Sequence, residues 1–296
     1  DLRSNTATHG SSTDSITAIE HLKMGNGTNT VQGNSYSNSF IGGTGTDTLS
    51  YSEAASGVTV NVTSAGAGTS SGDGADVFTG FENYTLSGNA DIINLGVVHN
   101  GSIINGGDGI DTASYANVVT ALTVTVANGN TSATVSDGTN SNTLQSIEKI
   151  IGGDGNDTFI VSNVAGINTL DGDGGNNTLK LSGNLDLSSV TLLNFQNLEI
   201  ANGDTLTLNA VDLSGKTMNI NMLGTGSLII VSDGSNHNFS NISVTKGTGT
   251  VTLDVNINKD ISATNINNII DKFDVASGST LTLSYSQFNG HTGVGT

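Results

Sequence analysis

The residues best suited to chemistry are aspartates that close glycine-rich turns. Gly152-Gly153-Asp154-Gly155-Asn156-Asp157-Thr158-Phe159 has the form G-G-x-G-x-D-x-U, with U a large apolar residue. Glycine takes positive φ at no steric cost, so such a run lets the backbone curl tightly. The curl turns carbonyl oxygens inward, and Asp157 adds a carboxylate at its end. Gly42-Gly43-Thr44-Gly45-Thr46-Asp47-Thr48-Leu49 is a full copy, and Gly106-Gly107-Asp108-Gly109-Ile110-Asp111-Thr112-Ala113 is another with a small U residue. Weaker copies lie at 24–31, 71–78 and 172–179. Oxygen-only ligands on a flexible loop suit a hard cation, and calcium better than magnesium or zinc. The candidate ligands are Asn29, Gly43, Gly45, Asp47, Asp73, Asp76, Asp108, Asp111, Gly153, Asp154, Gly155, Asp157, Asp171, Asp173 and Asn177. Asn29 and Asn177 put a neutral side chain at the aspartate position, which predicts weaker ligation there. Asp91, in Gly88-Asn89-Ala90-Asp91, departs further from the pattern.

Strands must position these turns. Apolar and polar residues alternate at Ile19-Glu20-His21-Leu22-Lys23-Met24, and again from Phe81, Ile147 and Phe195. Asp47 and Asp111 are 64 residues apart, and Glu82 and Glu148 are 66 apart, so two units of about that length run from about 42 to 170. Asn29 to Asp47 spans 18 residues and Asp157 to Asn177 spans 20, each the length of one coil of a β-helix. Stacked coils repeat at about 4.8 Å, where two carboxylates repel by about 3.5 kcal/mol at an effective dielectric near 20. A cation between them reverses that sign. Segments 63–72 and 127–142 read as loops projecting from the coil. After about residue 181 the glycine turns thin out, and short strands recur near 185, 206, 228, 251 and 281. Ile266, Ile269, Ile270 and Phe273 fall at helical spacing, which predicts a short helix near 264–273.

The octapeptides resemble the RTX repeats (hemolysin-type calcium-binding repeats) of secreted bacterial proteins, and the longer units look like those of giant RTX adhesins and surface proteins. The resemblance covers about 1–180. It implies an all-β chain, with an RTX-like, calcium-binding parallel β-roll over 1–180 and a β-solenoid over 181–296. It further implies a protein exported by the type I route, which stays unfolded where calcium is scarce and folds outside the cell. The function expected is that of a structural, non-enzymatic protein at the bacterial surface, of the S-layer or fibre-forming type. Copies of itself are the main expected partner, with a cell-surface glycan or lipopolysaccharide as a further one. The alternative is an adhesin stalk, or the folding and secretion module of a hydrolase or toxin.

Composition narrows the partners. With 26 acidic against 8 basic residues the formal charge is −18, which disfavours nucleic acid and anionic membrane and favours cations. The absence of cysteine excludes disulfides and thiolate metal sites. The absence of proline suits long backbone ladders. No apolar run approaches the length of a membrane span. The chain opens at Asp1 inside a repeat, as a fragment or processed product would. Gly68-Thr69-Ser70-Ser71-Gly72 matches G-x-S-x-G, but a nucleophile elbow needs a strand before it and a helix after it, and the flanks here read as a loop and a turn. The five histidines are scattered singly, with no H-E-x-x-H. Glu20, Glu82 and Glu148 recur at equivalent places, which argues for a structural role, because an active site is normally built once.

Overall fold

The computed structural model describes residues 6–9, 12–15, 19–64, 66–233, 235, 237–255, 259–260, 269–277, 280–282 and 292–295. Among the described residues the secondary structure is short β-strands, with two 3-10 turns at Gly129–Thr131 and Ala210–Asp212. The protein is all-β, and its strands stack in parallel coils as a β-solenoid. The chain divides into two compact units: Asp1–Asp157 with Ala165–Ile167 and Asp173–Gly175, and Thr158–Val164 with Asn168–Gly172 and Asn176–Thr296. Among the described residues no helix is long and apolar enough to cross a membrane.

In the first unit each coil contributes one strand to each of two sheets. Thr30–Gln32, Thr48–Ser50, Asn83–Thr85, Ser102–Asn105 and Ser141–Gln145 stack in one sheet. Side chains alternate in and out along a strand, so the central residue of each short strand points inward. Leu49, Tyr84, Ile104 and Leu144 therefore form one buried rank, and Val60, Ile93, Ala113 and Ile150 form another in the opposite sheet. Full burial of one such large side chain contributes roughly 1.5–3 kcal/mol, so a coil of two three-residue strands is stable only against its neighbours.

Glycine-rich turns stack as closely as the strands. A Cβ on Gly43 would lie 2.4 Å from Gly25 O, and one on Gly45 would lie 2.3 Å from Gly27 O. Both glycines have φ above +100°, a conformation that L side chains rarely adopt.

Segments 63–72 and 127–142 are not projecting loops. Thr59–Ser64, Ala67–Ser71 and Val77–Thr79 form an antiparallel meander within one sheet. Thr123–Val126, Ala133–Ser136 and Ser141–Gln145 do the same in the other. In each case one reversed strand is inserted among parallel ones. The first can enter because Gly68 has no side chain: a Cβ there would fall 1.9 Å from Asn61 O and 2.8 Å from the Phe78 ring. The second buries Ala133 and Val135 and exposes Thr134 between them.

The second unit stacks Thr158–Val161, Thr178–Leu181, Asn197–Ile200, Met218–Met222 and Ile242–Lys246 in parallel. A second sheet stacks Leu185–Asp186, Thr205–Asn209, Ser227–Val231, Val251–Val255, Lys272–Val275 and Thr292–Gly295. The coil after Val251–Val255 thus continues at Lys272–Val275, while Leu281–Thr282 pairs elsewhere, with Lys259–Asp260. Of the segment expected to be helical, 264–268 lie outside the described residues, and its last two residues, Lys272 and Phe273, open a strand.

Candidate metal centre

The aspartates that end the turns point into the coil. Asp47 and Asp111 are 0% exposed, and Asp76, Asp91 and Asp157 are equally buried in effect. Each carboxylate accepts a backbone N–H from a neighbouring pass of the chain. Asn29 N–H donates to Asp47 Oδ1 at 2.8 Å, Asn38 N–H to Asp76 Oδ1 at 2.8 Å and Val58 N–H to Asp91 Oδ1 at 2.6 Å. Asp91 N–H donates in turn to Asp111 Oδ1 at 2.8 Å, and Leu122 N–H to Asp157 Oδ1 at 2.7 Å. A carboxylate that accepts an N–H makes one of the stronger hydrogen bonds.

The second carboxylate oxygen separates these aspartates into two classes. Asp157 Oδ2 accepts Gly153 N–H at 2.7 Å, and Asp91 Oδ2 accepts Ser87 N–H at 2.7 Å. Asp76 Oδ2 accepts the hydroxyls of Tyr51 and Ser70 at 2.7 and 3.1 Å. Asp47 Oδ2 and Asp111 Oδ2 are buried and accept no hydrogen bond.

Those two oxygens face a second oxygen across a glycine. A Cβ on Gly106 would lie 2.1 Å from Ser146 O and 2.5 Å from Asp111 Oδ2. A Cβ on Gly42 would lie 1.9 Å from Gly80 O and 3.0 Å from Asp47 Oδ2. Each pair of oxygens therefore converges on a notch that only glycine leaves open. Gly80 and Ser146 both have positive φ, which turns their carbonyls inward. Two residues on, Glu82 and Glu148 accept the N–H of Asp47 and Asp111 at 2.8 and 2.7 Å and lock the next coil in place.

The second unit builds the same notch with amides. A Cβ on Gly172 would lie 2.6 Å from Asn194 O and 2.6 Å from Asn177 Nδ2. Asn194 has φ 57°, and Gln196 Oε1 accepts Asn177 N–H at 2.7 Å. Here the notch is closed, because Asn177 Nδ2 donates to Asn194 O at 3.0 Å. Where aspartate replaces asparagine, two acceptors meet with no hydrogen between them. A cation, a proton or a water bridging the two would offset the cost of leaving the buried carboxylate oxygen unpaired.

Electrostatics point the same way at Asp111, whose carboxyl is pushed up to about 7 by burial and by the charges of Asp91, Glu148 and Asp108. Burial also raises Asp76 and Asp157, the latter helped by the charge of Asp173. Among the described residues no three His, Asp or Glu side chains converge, so backbone carbonyls would have to complete any ligand set. A hard cation fits the residues at the Gly42 and Gly106 notches. It fits less well at 152–157, where both oxygens of Asp157 already take N–H donors.

The other candidate ligands are dispersed. Asp73 is buried, Asp108 and Asp154 are exposed, and Asp171 accepts Asn194 Nδ2 at 2.7 Å. Asp173 stands in the left-handed region at φ 56°. Gly153 and Gly155 pack against backbone of 118–121, with Val118 O 2.2 Å from a Cβ on Gly153. Asn29 already has partners, since its Nδ2 donates to Asp47 Oδ1 at 2.7 Å and to Gly25 O and Gly27 O, each at 3.1 Å. Ser70, the serine of the G-x-S-x-G match, is buried against Tyr51 and Asp76. The inward carbonyls of Gly80, Ser146 and Asn194 were not legible as site residues, although the acid or amide two positions later recurs with each. No protein-family model matches the chain, and no curated protein matches it.

Proposed function

We propose that the chain is a structural protein of the bacterial cell surface, of the S-layer or fibre-forming type, that folds and assembles on binding calcium. One observation carries the reading: the same notch is built three times, closed by an amide in one copy and left as facing oxygens in two. Asp47 Oδ2 with Gly80 O, and Asp111 Oδ2 with Ser146 O, would each give a cation one buried carboxylate oxygen and one backbone carbonyl oxygen. Calcium takes about 6–8 oxygens, so turn carbonyls and water would supply the rest. When bound, the ion supplies positive charge between acceptors that otherwise repel. A site whose Kd lies a hundredfold below the free calcium adds about 2.7 kcal/mol, and two such sites weigh heavily in a marginal fold. The −18 charge keeps copies apart until cations neutralise it, which ties assembly to the same ion.

The test is a calcium titration of the whole chain, followed by circular dichroism and light scattering and then electron microscopy. Calcium should raise the β signal and then produce sheets or filaments, and chelator should reverse both steps. A full β signal in chelator, with no thermal shift on adding calcium, would refute the reading.

A further inference from the structure

We infer that the two reversed strands are clasps that prevent the first unit from being unwound coil by coil. In a simple solenoid the outermost strand is held by one ladder only, so an end can fray one strand at a time. The first unit departs from this at two places. After Thr48–Ser50 the chain skips ahead to Thr59–Ser64, turns back through Ala67–Ser71, and only then lays Val77–Thr79 on Ser39–Ile41. Asn83–Thr85 then settles on Thr48–Ser50, and Ile92–Leu95 settles on Thr59–Ser64. The chain therefore fills a gap that it had first stepped over.

Neither direction of unwinding avoids this arrangement. Peeled from the carboxy-terminal side, Ile92–Leu95 and Asn83–Thr85 each leave one ladder, but Val77–Thr79 lies between Ser39–Ile41 and Ala67–Ser71 and must break two. Peeled from the amino-terminal side, Ser39–Ile41 and Thr48–Ser50 leave as edges, but Thr59–Ser64 lies between Ala67–Ser71 and Ile92–Leu95. The second clasp repeats the device in the opposite sheet, where Ser141–Gln145 lies between Ser102–Asn105 and Ala133–Ser136.

Each clasp is fastened by a buried tyrosine. Tyr51 follows the strand from which the chain departs, and its hydroxyl lies 2.6 Å from Ser70 Oγ on the reversed strand. The same hydroxyl donates to Asp76 Oδ2 at 2.7 Å, just before Val77–Thr79, and Asp76 Oδ1 holds Asn38 N–H at 2.8 Å beside Ser39–Ile41. One buried cluster thus ties together the departure, the reversal, the return and the strand below. Tyr115 stands 64 residues after Tyr51, and its hydroxyl donates to Asn142 Oδ1 on the returning strand at 3.1 Å. None of these contacts needs a cation, so the clasp does not depend on the calcium reading.

Single-molecule pulling on the full chain, held by its two ends in calcium buffer, tests this. The first unit should resist and then yield in a few large events, each releasing several coils together. Tyr51→Phe should shorten its lifetime at constant force about tenfold. Tyr84→Phe is the control, because that hydroxyl, equally buried, bonds only Phe81 O within its own turn. It should change the lifetime less than about twofold. If Tyr51→Phe does not fold, Ser70→Ala removes a smaller group from the same cluster. The second unit, without a reversed strand in either stack among its described residues, can yield in coil-sized steps; such steps throughout the wild-type chain, with no larger event, would overturn the inference. Equal lifetimes for folded Tyr51→Phe and Tyr84→Phe would also overturn it.

Discussion

Asp111 takes the backbone N–H of Asp91 onto Oδ1 at 2.8 Å, across one coil. That bond commits one oxygen to holding the stack together and leaves the other facing Ser146 O without a donor. Of the two oxygens of a single carboxylate, one is thus committed to the stack and the other is left as an open acceptor. The asparagine copy at 177 marks the difference, because there the second atom carries its own hydrogens.

Replacing the aspartate by asparagine should therefore close the notch. Asp111→Asn should place an Nδ2–H₂ against Ser146 O, as Asn177 does against Asn194 O. In chelator the variant should gain about 1–3 kcal/mol over wild type, since a buried unpaired acceptor is removed. In calcium the order should reverse. Denaturant melts in both buffers read this, and a variant less stable than wild type in chelator would contradict it.

The acid at 111 also fixes the sign of a pH effect. Its folded value, about 7, lies above the ordinary aspartate value of 3.8. The folded chain therefore holds a proton that the unfolded chain gives up. The resulting stability is fully present below the unfolded value and is lost as pH rises through about 7. In chelator, chemical denaturation should show stability falling from about pH 4 to about 7, with a slope near one proton inside that window, and levelling off above it. If the notch takes calcium as proposed, the ion should flatten that slope by displacing the proton. The slope should be absent in Asp111→Asn.

Glu148 should matter as an acceptor rather than as a charge. Its Oε2 takes the Asp111 N–H, and Gln196 performs the same service for Asn177 with a neutral oxygen. Glu148→Gln should stay within about 1 kcal/mol of wild type, whereas Glu148→Leu should lose about 1–3 kcal/mol by orphaning a buried N–H. Thermal melts decide it, and equal losses for the two variants would show that the charge, or the second bond that Glu148 Oε1 accepts from Asn130 Nδ2 at 2.7 Å, is what counts.

Asn29 provides a gain-of-function test. Its amide nitrogen sits among Asp47 Oδ1, Gly25 O and Gly27 O, where a cation would otherwise stand. Asn29→Asp removes that donor and sets two carboxylates side by side. The variant should lose about 1–3 kcal/mol in chelator and recover it in calcium, with one more ion bound by calorimetry. Unchanged stability in chelator would remove the amide from this role.

The turns and their coil length were legible because they obey local rules. Glycine marks the curl, aspartate marks its end, and the 18-residue step from Asn29 to Asp47 matches the register Thr30 to Thr48. The reversed strands were not legible. Ala67-Gly68-Thr69-Ser70-Ser71 has no large apolar residue to show alternation, and it lies in the sheet because Phe78 fills the space over Gly68 and because Ser70 is bonded in the core. The carbonyls of the notch had no sequence mark either. Gly80, Ser146 and Asn194 differ in type and share only a left-handed backbone. The recurrence of Glu82 and Glu148, read as structural, was the available sign of the element that holds those carbonyls in place.

The first reversed strand, Ala67–Ser71, lies in one sheet, and its counterpart, Ala133–Ser136, lies in the other. The same exchange holds for Thr48–Ser50 and Thr112–Ser114, which are 64 residues apart. One sequence copy is therefore an odd number of half-coils, and each duplication turns the next copy over. A gene that grows by whole copies would present any given side chain alternately on opposite faces of the stack. A partner docking along one face would meet only every second copy, so a change to the repeat would alter its binding at half the copies while leaving the coil-to-coil joints unchanged.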